Sequence, residues 1–248
     1  MIEKKIHYVW MGKGKKSNLI LACMDSWKQH LSEFEIIEWN EDNFDINSNK
    51  YVKEAYDNKK WAFVSDYVRL YALYNYGGIY LDTDIEILKP IDKFLEHSAF
   101  SGFESDEYIL TGFIGATKGH MWVYELLRYY DNRSFICEGG SLDLSPNVVN
   151  ITKTTVEKYG LVVNGDYQIL NDDLHIYPKD YFCPSDYGDS YNKKMSKITE
   201  NSYSIHHYDG SWLSLTGKAK ARIRGIIGKS TTDKLKGLLR KDKDDSII

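Results

Sequence analysis

Asp82 and Asp84 stand one residue apart in GGIYLDTDIEIL, residues 77 to 88, with apolar runs on both sides. A carboxylate in such a setting is costly unless it is paired, hydrogen-bonded or bound to a cation. In an extended backbone residues i and i+2 share a side, so both could offer oxygen to one hard divalent ion, Mg2+ or Mn2+. Two carboxylates do not fill that shell; diphosphate oxygens and water usually complete it when proteins hold Mg2+ on a nucleotide. A lone Asp-x-Asp is also compatible with a solvated turn between two strands.

Other residues supply the missing context. Asp66 and Arg69 are three apart in WAFVSDYVRLYALYNY and share a helix face. Because they interrupt an otherwise apolar helix, at least one is expected to face a polar cleft rather than form an exposed pair. Trp10 follows the apolar run of KKIHYVW, where a strand end in an open α/β sheet meets ligands, and its indole could stack on a base or sugar. Near the far end, HHYDGSWL offers imidazole, hydroxyl and indole N–H groups. His206 and His207 project to opposite sides of an extended chain, so only one can face a given site.

The elements that must position these groups read as alternating strands and helices. Lys4 to Trp10 reads as a strand, Asn18 to Leu31 as a helix and Phe34 to Trp39 as a second strand, a βαβ start to a parallel sheet. An Asn- and Asp-rich loop follows. Trp61 to Tyr76 reads as a helix buried on several sides and stopped by Gly77-Gly78, with strands at Ile79 to Leu81 and Ile85 to Leu88 after it. Further strands are expected in AFSGF and YILTGFIGAT, around Leu161 to Val163 and Leu174 to Tyr177, and in YSIHHY. Helices are expected at Met121 to Tyr130 and after Ser145-Pro146, with Ser145 as the cap.

With 248 residues and 42% hydrophobic content, one α/β domain with small appendages is expected. The three cysteines lack zinc or disulfide spacing, which fits a reducing cytoplasm. No secretory leader or membrane-spanning run is legible. From Lys218 onward ten Lys/Arg stand against four Asp, a basic tail on an acidic body. That asymmetry argues against nucleic acid as a partner. The tail's spaced Ile and Leu residues suit either helices lying on an anionic membrane surface or small packing helices.

In order, KKIHYVWMG, AFVSDYVRLYALYNYGGIYLDTD and HHYDGSWL resemble the sugar-nucleotide glycosyltransferases of the GT-A fold, specifically the DXD-sugar-binding-region group, family thirty-two. That group includes bacterial capsule and exopolysaccharide transferases and eukaryotic outer-chain mannosyltransferases. Glucosylating domains of large bacterial toxins share its S-D-x-x-R and DxD core. The resemblance implies a GT-A-like single domain over residues 1–217, with a mixed, mainly parallel central sheet flanked by helices, and a C-terminal helical basic tail over 218–248. It implies a retaining, metal-dependent transfer of a hexose from a nucleotide sugar, with UDP favoured, to a glycan or lipid-linked saccharide in surface polysaccharide synthesis. The expected location is cytoplasmic, or peripheral on the inner membrane face.

By the same resemblance, Val9 and Trp10 hold the nucleotide base, Asp66 and Arg69 bind the sugar and sugar-phosphate, and Tyr80 lies beside the nucleotide. Asp82 and Asp84 serve Mn2+ or Mg2+, Asp82 also touching ribose, with His207 as the further metal or phosphate contact. Ser211 and Trp212 contact the diphosphate. Asp66, Arg69, Asp82 and Asp84 form the expected catalytic set. Thr111 stands near the donor sugar where relatives often carry Asn. Two rival readings use the same residues. One is an aspartyl-phosphate-type phosphohydrolase with Asp82 as nucleophile, Asp84 as acid/base and Asp172-Asp173 completing a metal site. The other is a nucleotide-sugar binding protein without turnover.

Overall fold

The structure, a computed structural model, describes residues 1–209; Gly210, Ser211, Trp212, the expected boundary at 217/218 and the tail 218–248 lie outside the described residues. The chain runs β1 (Lys5–Val9), α1 (Asn18–His30), β2 (Glu35–Trp39), α2 (Lys50–Asp57), α3 (Trp61–Tyr76), β3 (Gly78–Leu81), β4 (Ile85–Ile87), β5 (Ala99–Gly102) and β6 (Phe113–Ala116). It continues α4 (Met121–Arg128), α5 (Asn147–Tyr159), β7 (Gln168–Leu170), β8 (Leu174–Tyr177), α6 (Lys179–Phe182), α7 (Tyr191–Met195) and β9 (Ser204–His206).

Seven strands form one sheet in the order β2-β1-β3-β6-β5-β8-β7, and β4 pairs with β9 in a separate ladder. β1 is parallel to β2 and β3, β5 is parallel to β8, and β6 is antiparallel to both β3 and β5. Since β7 opposes β8, only β6 and β7 run against the other five strands. The sheet is therefore mixed and mainly parallel, as expected. One consequence matters for function: the ends of β1, β3 and β5 and the start of β6 all meet at one edge of the sheet.

Alternation along the strands splits the core into two layers. Tyr80 and Ile114 face a layer with α2, α3, α4 and α5, whereas Ile79, Leu81 and Phe113 face a layer with α1 and α6. The turn from α3 into β3 needs its glycines: Gly77 has φ of 64° and Gly78 of 108°, and a Cβ at Gly77 would sit 2.8 Å from the Lys118 main-chain nitrogen. His7 braces the same turn. Trp39 Nε1 donates to its Nδ1 at 3.1 Å, so its proton is on Nε2, which donates to the Gly77 carbonyl at 2.7 Å.

Three local expectations change. The Asn/Asp-rich segment contains α2, because Asn49 caps it by accepting from Val52 N while Tyr51, Val52 and Ala55 are buried; the polar residues are caps, not only loop. No strand forms at Leu161 to Val163. There the Gln168 side chain takes both Val162 N–H and C=O, and the strand forms instead at β7. α5 starts one residue late, with Pro146 as its cap residue and Asn147 as its first helical residue.

Trp27 of α1 is fully buried and its Nε1 donates to the Ile85 carbonyl of β4 at 2.7 Å. Trp27→Phe strands that buried carbonyl and is expected to cost roughly 1–3 kcal/mol in urea unfolding, with the fold retained.

Candidate functional site

The site begins with α3. Arg69, 4% exposed, points from this helix toward the shared sheet edge. Its Nη2 lies 3.0 Å from Asp66 Oδ1 and 3.3 Å from Asp82 Oδ1, and its Nη1 donates to the Thr111 carbonyl at 2.7 Å. Nε donates to the Ser65 carbonyl, and the guanidinium lies 4.6 Å from the centre of the Tyr80 ring. Tyr80 OH in turn donates to Asp82 Oδ1 at 2.8 Å, as residues i and i+2 on one face allow.

Asp82, Thr83 and Asp84 do not continue the strand. β3 ends at Leu81, and a turn closed by Ile85 N to the Asp82 carbonyl at 3.0 Å carries the chain into β4. The two carboxylates are thus brought together by a tight turn rather than by the extended backbone expected from sequence. Opposite them, β9 pairs antiparallel with β4, setting Ile85 against His206. His206 Nε2 lies 3.3 Å from Asp84 Oδ1, and Asp209 N donates to Asp84 Oδ2 at 2.8 Å.

Asp82, Asp84 and His206 each present a ligand atom within 4.8 Å of the others, and His206 Nδ1 is buried with no hydrogen-bond partner among the described residues. Two carboxylates and one imidazole gathered within that span suit a divalent cation. The histidine expected at this place was His207. The two histidines do face opposite ways, but His207 Nε2 is bonded to Glu86 Oε2 at 2.7 Å, and it is His206 that faces the aspartates.

Charge and burial divide the carboxylates. Burial would raise Asp84, but His206 and the Asp209 N–H outweigh it and hold its pKa at about 2. Burial would lower His206; the charge of Asp84 wins and raises it well above the usual imidazole value. Asp66 goes the other way: burial, helped by Asp82 and opposed by Arg69 and by Asn147, pushes it up to about 7.

Among the other expected residues, Val9 is buried at the end of β1, and Trp10 follows it, half-buried, with Nε1 donating to the Gly14 carbonyl at 2.8 Å and Lys16 5.1 Å from its ring. Thr111 is buried beside the Arg69 cluster. Asp172 and Asp173 are not brought to this site. Asp173 accepts from Ser98 N and pairs with His175, and Asp172 lines a separate depression with Lys158 and Tyr159. The phosphohydrolase reading loses its extra metal ligands.

Residues 17–101 match the family described as "Glycosyltransferase sugar-binding region containing DXD motif". The matched stretch contains Asp66, Arg69, Asp82 and Asp84 and stops short of Thr111 and His206. Inositol phosphoceramide mannosyltransferase 3 of Schizosaccharomyces pombe is 27% identical over 131 residues, 51% of this chain and 36% of that protein. The match therefore spans about a third of that relative's length. Solved structures that overlay on the chain include PaToxG glycosyltransferase (TM-score 0.46, 16% identity, 63% of this chain and 69% of that one). Another is the apo form of the glycosyltransferase GlyE of Streptococcus pneumoniae TIGR4 (TM-score 0.46, 10% identity, 98% and 64%). Overlays at that level carry no functional assignment.

Two residues were not anticipated. Glu104, just beyond β5, is held above the usual carboxyl range by burial, helped by Asp82 and opposed by His206 and a bond to Tyr208. Its position two residues past a strand directed at the same edge was the available signal. Asn147, the first residue of α5, donates from Nδ2 to Asp66 Oδ1 and accepts from Thr111 Oγ1. No local pattern marked it, since it comes from 81 residues away in sequence.

Two outcomes test this geometry. Below the raised pKa of His206 its proton must leave before the ring can ligate a cation, whereas Asp84 is already ionised above about pH 2. Mn2+ affinity measured by calorimetry is expected to tighten up to about tenfold per pH unit from about pH 6 until that pKa is passed, and His206→Gln to flatten the slope. Secondly, a Cβ at Gly112 would lie 2.7 Å from Asp82 Oδ2. Gly112→Ala should displace that carboxylate and weaken Mn2+ binding about tenfold or more, with little change in melting temperature.

Proposed function

We propose that this chain is a retaining, metal-dependent glycosyltransferase. It moves a hexose from a nucleotide sugar, with UDP favoured, to a glycan or lipid-linked saccharide in surface polysaccharide synthesis. The observation that carries this reading is the junction of Asp82, Asp84 and His206 with the Arg69–Asp66 cluster at the C-terminal edge of the parallel strands. That edge is where open α/β sheets bind nucleotides. The match of residues 17–101 to the DXD sugar-binding region supports the same chemistry. The related mannosyltransferase, by its name, acts on inositol phosphoceramide, which supports a lipid-linked acceptor.

In this reading Asp82, Asp84 and His206 hold the cation, and the imidazole favours Mn2+ over Mg2+. When bound, the ion neutralises charge developing on the departing diphosphate. Trp10 stacks on the base, Tyr80 and Val9 border the nucleotide, and Ser211 and Trp212 hold the diphosphate. Arg69 has most of its N–H groups committed to Ser65, Asp66, Asp82 and Thr111, so its principal work is to fix the carboxylates, with only limited donation left for a phosphate. Asp66 accepts hydrogen bonds from sugar hydroxyls. The acceptor attacks from the face the diphosphate leaves, and the leaving phosphate takes its proton.

The test is hydrolysis or transfer from a panel of UDP- and GDP-hexoses with Mn2+. Asp84→Asn is expected to lower turnover by roughly 10²–10³ without unfolding the protein. Nucleotide-sugar binding with no turnover across donors and acceptors would instead favour a binding protein, and hydrolysis of simple phosphate esters a phosphohydrolase.

A further inference from the structure

The proposed cation site depends on how the His206 imidazole is aimed. We infer that Tyr208 aims it: the tyrosine ring stacks on the imidazole and keeps its ligating nitrogen on the aspartates, which makes Tyr208 a positioning residue of the metal site. This rests on the glycosyltransferase reading above and goes beyond it by naming what holds the third ligand in place.

A metal-binding histidine ordinarily donates its second ring N–H to a carboxylate, a carbonyl or water, and that bond fixes the plane of the ring. His206 has no such protein partner: Nε2 faces Asp84 Oδ1 at 3.3 Å, while Nδ1 is buried with no carboxylate or carbonyl bonded to it among the described residues. Pairing with β4 fixes the main chain of β9, and Ser185 Oγ donates to the His206 carbonyl, but neither restrains rotation of the side chain. The Tyr208 ring does. It lies 4.0 Å from the imidazole, centre to centre, with 26° between the planes.

The backbone is bent to make that stack. Side chains two apart in a strand share a side but stand about 6.6 Å from one another. Tyr208 follows just past the end of β9 with φ of 54°, in the left-handed region that bulky residues rarely adopt, and the bend draws its ring in over His206. Such strain persists only where the surroundings over-determine it. Here they do: the Tyr208 hydroxyl bonds to the Glu104 carboxyl and lies 3.0 Å from Cys183 Sγ, and Tyr187 meets the ring edge-on at 5.6 Å. Lys194 Nζ, which donates to the His207 carbonyl, lies 5.7 Å from the ring centre. Glu104 follows β5 and Cys183 closes α6, so the ring is anchored to the body of the sheet and passes that rigidity to the imidazole.

The experiment loads the full chain with Mn2+ or Mg2+, alone and with UDP, and compares wild type with Tyr208→Phe, Tyr208→Leu and Tyr208→Met. The methionine fills the space without a ring should leucine destabilise the protein. Calorimetry gives both affinities, electron spin-echo spectroscopy of bound Mn2+ detects the nitrogen of a ligating imidazole, and melting temperatures confirm folding. Tyr208→Leu and Tyr208→Met are expected to lose the nitrogen signal and to weaken Mn2+ about tenfold or more but Mg2+ less than about threefold, since imidazole suits Mn2+ and oxygen ligands suit Mg2+. Tyr208→Phe keeps the stack, and is expected to keep the signal and to weaken Mn2+ less than about threefold. A nitrogen signal retained in Tyr208→Leu or Tyr208→Met, an unchanged ratio of Mn2+ to Mg2+ affinity, or equal losses in Tyr208→Phe and Tyr208→Leu overturns the inference while the proposed function stands. Wild-type Mn2+ bound without the nitrogen signal does the same. A wild-type protein that binds neither cation, with or without UDP, overturns both.

Discussion

Arg69 is a guanidinium buried among protein groups, and much of the site is arranged to make that tolerable. Removing such a cation from water costs several kcal/mol unless carboxylates and carbonyls surround it, and losing one partner of a buried pair typically costs about 3–5 kcal/mol. Asp66, Asp82, the Ser65 and Thr111 carbonyls and the face of Tyr80 meet that demand. Ser65 and Asp66 belong to α3 itself, Tyr80 and Asp82 to the end of β3 and Thr111 to the entrance of β6, so satisfying one charge fixes these three elements relative to one another. Asp82 gains from this twice: Arg69 and Tyr80 hold one oxygen, leaving the carboxylate aimed at the turn that carries Asp84.

The same economy explains why the aspartates have different characters. Asp84 faces His206 and a backbone N–H and stays ionised to about pH 2. Asp66 is pushed up to about 7 by burial, with the charge of Asp82 adding to it, although it pairs with the arginine. Burial wins at Asp66 and pairing wins at Asp84. A carboxylate held at about 2 is a permanent negative charge suited to a cation.

Much of this was legible in the sequence, and the reasons can be named. The α3 helix, its glycine stop and the Asp-x-Asp were read within one continuous stretch, because apolar periodicity and glycine punctuation are local. The choice between His206 and His207 was not, since alternation separates two neighbours without saying which side the site is on; the β4–β9 register decides it. Asn147 was invisible for a related reason. Its role depends on the packing of α5 through Thr152 and Thr155, contacts made across more than thirty residues of sequence. The α2 helix was hidden by Asn and Asp residues that signal both loops and caps.

The proposed cation site has a further property that follows from its topology. Two of its ligands sit on the turn before β4, and the third sits on β9, more than a hundred residues later. The ladder joining them is short, its ends are closed by the main-chain bonds Leu88 N to the Tyr203 carbonyl and His207 N to the Asp84 carbonyl, and side chains reinforce it: Ser185 Oγ donates to the His206 carbonyl, Ser204 Oγ to the Phe182 carbonyl, and Lys194 Nζ to the His207 carbonyl. A ligand that bridges two segments stabilises their docking to the extent that it binds the docked form alone. Without the ion, the His206–Asp84 pair is the contact that substitutes for it at the same junction. In the proposed site the histidine that would complete the ligand set already pairs with Asp84, so a cation there would reinforce an existing contact between β9 and the turn before β4.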